Sequence, residues 1–167
     1  MIGFRPTTPE DFLKDFTGQA YRTARLVRVF DDADMTLRPG PGSMSTAEQI
    51  NQVCSSNNFL RILADGEPLS RDAFNRAFEI NSVAEAIAAI RKMVNEVTIA
   101  LEMSSQEIWD EVVEPFGPGY RMTRGQLAYM MLDHESHHRG QLTVYARVAG
   151  KVPPVIYDPV GPEVLEL

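Results

Sequence analysis

The sequence predicts an all-α protein, a four-helix bundle, and three observations carry that expectation. Four segments open with a residue suited to cap a helix, and behind each one apolar residues recur at helical spacing. Stretches rich in glycine and proline separate these patterns. No segment alternates apolar and polar residues as a half-buried strand does, and no internal repeat is present.

The first element opens at Thr8-Pro9-Glu10-Asp11, a cap, a proline at the first helical position and two acids favoured by the helix dipole. Phe12, Phe16, Ala20, Ala24, Val27 and Phe30 follow at helical spacing, so the helix is expected to run to about Asp34. Arg38-Pro39-Gly40-Pro41-Gly42 is a loop. Ser45-Thr46-Ala47-Glu48 is a capping box, opening a second helix through Ile50, Val53, Leu60 and Leu63 to about Asp65-Gly66. Residues 72–79 carry a faint helical signal. Ser82-Val83-Ala84-Glu85 is another capping box, and the seam Val83, Ile87, Ile90, Val94, Val97, Leu101 behind it suits bundle packing. A short helix is expected around Trp109, closed by Pro115-Phe116-Gly117-Pro118-Gly119. Thr123-Arg124-Gly125-Gln126 starts the fourth long helix, which Gly150 and Pro153-Pro154 stop near Ala149. The tail from Val155 is expected to pack, extended, across the bundle.

The 167 residues fit a single domain over 1–167, with a formal charge of −7. That balance argues against nucleic acid as a partner, because phosphate binding needs clustered lysine and arginine. No apolar run reaches membrane-spanning length, and the single cysteine, Cys54, cannot form an intramolecular disulfide. A cytoplasmic protein with no membrane partner is the expectation. Cys54 sits in an apolar helical stretch and reads as a buried structural residue.

The chemistry concentrates on the fourth helix. Its inward seam runs Leu127, Met131, His134, His138, Gln141, Tyr145 and Val148, with two histidines where the other helices place aliphatic residues. A buried imidazole needs a partner, since an unsatisfied polar group costs about 1–3 kcal/mol. One turn apart, His134 and His138 aim two ring nitrogens at a shared volume, which a divalent metal can use. Serine, glutamine or tyrosine from across the bundle can also satisfy them. His137 lies about 60° to one side on the helix and does not easily join the same ion, but with Tyr145, Gln141 and Arg139 it is a candidate to line a pocket. His134-Glu135-Ser136-His137-His138 also matches the H-E-x-x-H pattern of zinc peptidases, in which the glutamate is a general base and the third ligand here would be Glu163 or Glu166.

The run from Asp133 through His134, His137 and His138 to Arg139-Gly140-Gln141-Leu142, with Tyr145, Gly150 and Pro153-Pro154, resembles the last helix of the DinB-like family. The order of the four helices and the loop lengths extend the resemblance over most of the chain. It implies an up-down-down-up four-helix bundle, commonly a homodimer. It also implies a divalent metal, zinc or nickel, on three histidines: two matching His134 and His138, and one from the second helix that falls on Gln52. An amide oxygen is a weaker ligand than imidazole, so the metal, if held, is expected on His134, His138 and Gln52 or water. Without it the chain is a metal-free bundle that binds a small ligand or mediates dimerisation. Members of the wider superfamily include transferases that use the low-molecular-weight thiols bacillithiol or mycothiol, among them a maleylpyruvate isomerase, and relatives described as metal-dependent hydrolases. The resemblance therefore implies a small-molecule substrate and a thiol-dependent S-transferase or a hydrolase.

Overall fold

Helix starts follow the caps. The computed structural model describes residues 8–70 and 76–166, and within them four long helices span Pro9–Val27 (α1), Thr46–Ala64 (α2), Val83–Met103 (α3) and Arg124–Val148 (α5). Thr8, Ser45, Ser82 and Thr123 each accept a backbone N–H three residues on, as the sequence predicts. At Ser45 and Thr123 the box is reciprocal. At Ser82 it is not, because the Glu85 carboxylate takes the N–H of Asn81 instead, at 2.7 Å.

α1 stops at Val27, short of the expected Asp34. The Asp34 carboxylate accepts the N–H of Asp31 at 2.8 Å and starts a separate 3-10 turn, Asp32–Thr36. Phe30 is buried nonetheless, reaching the core from the bend. The faint helical signal at 72–79 lies partly outside the described residues, and its remainder, 76–79, is irregular. Around Trp109 the chain forms the short helix α4, Gln106–Asp110, capped by Ser105. Two-residue strands β1 (Val112–Val113) and β2 (Met122–Thr123) then pair antiparallel and pinch the intervening loop. That pairing is too short to show an alternation in the sequence.

Cross-helix bonds fix the topology. Asp15 with Tyr129 and Thr23 with Glu135 run in the same order along α1 and α5, so those helices are parallel. The N-terminus of α3 meets the far end of α1 through Asp32 and Val83, and α2 starts beside Leu37 at that same end. Helices α2 and α3 therefore descend together, giving the up-down-down-up order. In cross-section α2 and α1 occupy opposite corners, each flanked by α3 and α5. The long connection from 65 to 82 is what permits two consecutive parallel helices.

The core is built from the predicted seams: Phe12, Phe16 and Val27 of α1, Ile50, Leu60 and Leu63 of α2, Ile87, Ile90 and Val97 of α3, and Leu127 of α5. Val148 departs from its seam and is exposed, in the last turn of α5. At the other end of α5, Trp109 packs beside Phe12 with ring centroids 5.1 Å apart. It also fills the space over Gly125, where a Cβ would sit 2.4 Å from the indole nitrogen. The tail crosses α1 and ends in a 3-10 turn, Pro162–Leu165, that buries Leu165. Arg25 and Arg28 hold it through main-chain carbonyls, those of Val155, Asp158 and Pro159 for Arg25 and of Val164 and Glu166 for Arg28.

Candidate metal centre

The two histidines of the α5 seam face α2. His138 is buried and His134 half-buried, one turn apart, with ring centroids 4.4 Å from each other. Each Nδ1 has its own partner on α2. His134 Nδ1 lies 2.6 Å from Ser56 Oγ, and His138 Nδ1 lies 2.6 Å from Gln49 Oε1. These polar residues occupy the same face of α2, and the hydrogen bonds fall to serine and glutamine, as a satisfied histidine pair requires.

Those partners dictate where the protons are. The Ser56 hydroxyl donates its only proton to the Gln52 carbonyl at 2.9 Å, so it accepts from His134 Nδ1–H. Gln49 turns its amide oxygen to His138 and its amide nitrogen to Gln141 Oε1, at 2.6 Å, so His138 Nδ1 also carries the proton. In neutral rings both Nε2 atoms are then bare, and they face each other at 3.2 Å. Burial, and then the neighbouring histidines, lower the His138 pKa to about 4; burial and His137 lower that of His134. Near neutral pH the structure thus holds two opposed lone pairs, an arrangement that an electrophile between them would relieve.

Beside the pair opens a cleft of about 450 Å³, lined by His137, His138, Gln49, Gln141, Tyr145 and the loop 39–44 with Val144. Three of the four predicted pocket residues line it. Arg139 does not: it lies round the helix from His138 and reaches α1, donating to the Gln19 carbonyl and to Ser136 Oγ, each at 3.4 Å. His137 is exposed at the mouth and accepts from Gln141 Nε2 at 2.7 Å. Tyr145 donates to the Met44 carbonyl at 2.6 Å.

Glu135 faces the other way. It is fully buried toward α1, accepts from Thr23 Oγ1 at 2.7 Å, and among the described residues its Oε2 meets no hydrogen-bond geometry, with an equally buried Asn57 beside it. Burial raises its pKa. The general base of the peptidase pattern is therefore on the far side of α5 from the cleft. Glu163 lies in the tail and binds the Gly161 N–H, and the Glu166 carbonyl is taken by Arg28. Cys54 is buried, and burial pushes its thiol up.

A model of the DinB superfamily matches residues 15–142. The chain belongs to the DinB superfamily. A DinB-like protein of Bacillus subtilis, YjoA, superposes with a TM-score of 0.71 at 21% identity, over 87% of this chain and 96% of that one. A DinB-like protein of Bacillus cereus ATCC 10987 does so with a TM-score of 0.71 at 21% identity, over 89% and 97%. At that identity the likeness concerns the fold alone. The uncharacterised protein YrdA of Bacillus subtilis strain 168 is 44% identical over 45 residues, 27% of this chain and 27% of its own. The chain thus spans about a quarter of the length of that curated relative.

In this DinB bundle the donor set can be tested against a divalent ion. Two nitrogens at the usual zinc distance and a tetrahedral angle lie about 3.3 Å apart, against 3.2 Å here. Ligating histidines ordinarily donate their other N–H to a fixed acceptor, and both do so here. The residues fit a two-histidine site. Among the described residues no group of three or more His, Cys, Asp and Glu converges. Among the described residues the Gln52 side chain makes no hydrogen bond, to either histidine or elsewhere. It does sit between the two anchors on α2, one turn after Gln49 and one before Ser56.

Proposed function

We propose that this DinB-superfamily chain binds a divalent metal, zinc or nickel, on His134 and His138, with the Gln52 amide oxygen or water completing the shell. The observation that carries this reading is the pair of bare Nε2 atoms held 3.2 Å apart by two separate hydrogen bonds on the far side of the rings. A bound ion would supply Lewis acidity, favouring a thiolate over a thiol or polarising an electrophile.

The chain's own residues favour thiol-dependent S-transfer over hydrolysis. The described residues lining the cleft include no carboxylate to take a proton from water, and Glu135 faces α1. A low-molecular-weight thiol, with a pKa near 8.5, makes a smaller demand on a base than water does. Gln49, Gln141 and Tyr145 orient the histidine wall, while Met44, Pro39 and Val144 provide apolar surface for the rest of a small substrate.

The test is metal content by mass spectrometry on untagged protein beside the His134→Ala/His138→Ala double variant. Near-stoichiometric zinc or nickel that disappears in the variant supports the site and justifies a thiol-transfer screen. Wild-type protein that stays empty after incubation with both metals overturns it. A second reading, a metal-free bundle binding a small ligand in the same cleft, is favoured by the lack of a third His, Cys, Asp or Glu beside the pair among the described residues.

A further inference from the structure

The hydrogen bonds around the histidine pair do not end at the pair. Tyr145 has one hydroxyl proton, and the Met44 carbonyl takes it at 2.6 Å. Its oxygen can then only accept, and what faces it, at 3.4 Å, is the Gln49 amide nitrogen. That contact keeps the Gln49 NH2 group away from His138 and its carbonyl oxygen toward the ring. The same NH2 group donates to Gln141 Oε1 at 2.6 Å. Gln141, its oxygen already occupied, presents its own NH2 group to His137 Nε2 at 2.7 Å. An amide NH2 donates and does not accept, so His137 Nε2 must be bare.

We infer that Gln49 and Gln141 are positioning residues. They form a directional amide relay, anchored by Tyr145 on the Met44 carbonyl, that holds both His138 and the cleft-mouth His137 in the Nδ1–H tautomer. For His138 this leaves Nε2 free to face His134. For His137 the one polar ring atom left for a ligand is a hydrogen-bond donor. The cleft therefore suits a ligand that carries an oxygen acceptor, a carboxylate or a carbonyl, within reach of His137. That consequence for the ligand rests on the metal-site reading; the relay itself does not.

The relay is tested on the full metal-free chain, labelled with 15N, at a pH where all histidines are neutral. Long-range proton–nitrogen correlation spectra distinguish a protonated from a bare ring nitrogen. In wild type, His137 and His138 both show a protonated-type Nδ1 and a bare-type Nε2, although the Nε2–H form is favoured for histidine in water. In Gln141→Glu the carboxylate still accepts from Gln49 but cannot donate. The His137 proton therefore moves to Nε2 while His138 is unchanged. A role in packing alone would move neither signature. Gln49→Leu releases both rings and lowers zinc affinity by about tenfold to a hundredfold. A wild-type His137 that is Nε2–H or averages between forms, or one that Gln141→Glu leaves unaltered, overturns the relay. If the spectra match and wild type binds no zinc, the relay stands and the metal-site reading falls.

Discussion

Replacing Gln52 by histidine asks directly what the α2 face contributes. Gln49 and Ser56 bracket position 52 and hold the outer nitrogens of the pair, so a side chain there projects from the face that lies over the opposed Nε2 atoms. Four-ligand structural zinc sites bind with roughly 10–16 kcal/mol near neutral pH, about 2.5–4 kcal/mol per ligand. Two imidazoles then yield roughly 5–8 kcal/mol, a Kd on the order of 1 to 200 µM. A third adds about 3 kcal/mol, so Gln52→His should tighten zinc roughly a hundredfold. Competition against a chromophoric chelator at fixed pH reads this directly. A thermal scan with zinc at 100 times Kd should show stabilisation of about 2.7 kcal/mol. A folded Gln52→His protein that binds zinc no tighter than wild type refutes the bracket argument.

Three further predictions concern stability. His138 has its pKa lowered in the metal-free fold, to about 4, so the unfolded chain binds the proton more tightly. Stability from this group is complete above about pH 6.5 and is lost as pH falls toward 4, at most about 3 kcal/mol and less once solvent screening is counted. Urea melts at pH 7.5 and 5 should show a shallower drop for His134→Ala/His138→Ala than for wild type. Glu135 has the opposite sign: burial raises its pKa, so its stability is complete below the ordinary carboxylate range and falls as pH rises toward the folded value. Glu135→Gln keeps an acceptor for Thr23 and should stabilise by about 1 kcal/mol at pH 7.5, the gap closing near pH 4; a loss at neutral pH would mean the charge is needed. Gly125→Ala drives a Cβ to 2.4 Å from the Trp109 indole nitrogen and should cost about 1–3 kcal/mol in a urea melt.

What the sequence disclosed was whatever local chemistry decides. Caps at Thr8, Ser45, Ser82 and Thr123 are short-range hydrogen bonds, and all four form. The end of α1 was hidden because spacing records which residues are buried, and Phe30 is buried from a bend as readily as from a helix. His134 and His138 stood out as polar residues on an apolar seam. Their partners did not, since α2 is buried against two helices and against the segment after residue 76. Asn51 exchanges two hydrogen bonds with Phe78, and Ser55 binds the Arg76 carbonyl. Polar residues there look no different from solvent-facing ones. One signal was available: Gln49, Val53, Ser56 and Leu60 continue a single stripe in which polar residues alternate with aliphatic ones. That stripe mirrors the histidines on α5.

The indole packed on Gly125 gives the molecule a built-in separation of readouts. It is the chain's one tryptophan, buried with 2% exposure among Phe12, α4 and the first turn of α5. His134 lies nine residues along the helix from Gly125, about 13.5 Å along the axis. Intrinsic emission therefore reports whether the α4–α5 junction is assembled and is largely blind to what occupies the cleft. A ligand titration followed by fluorescence should look flat even when binding is tight, while an unfolding curve on the same instrument should show the full transition. Occupancy must be read at the histidines themselves, and folding can be monitored independently in the same sample.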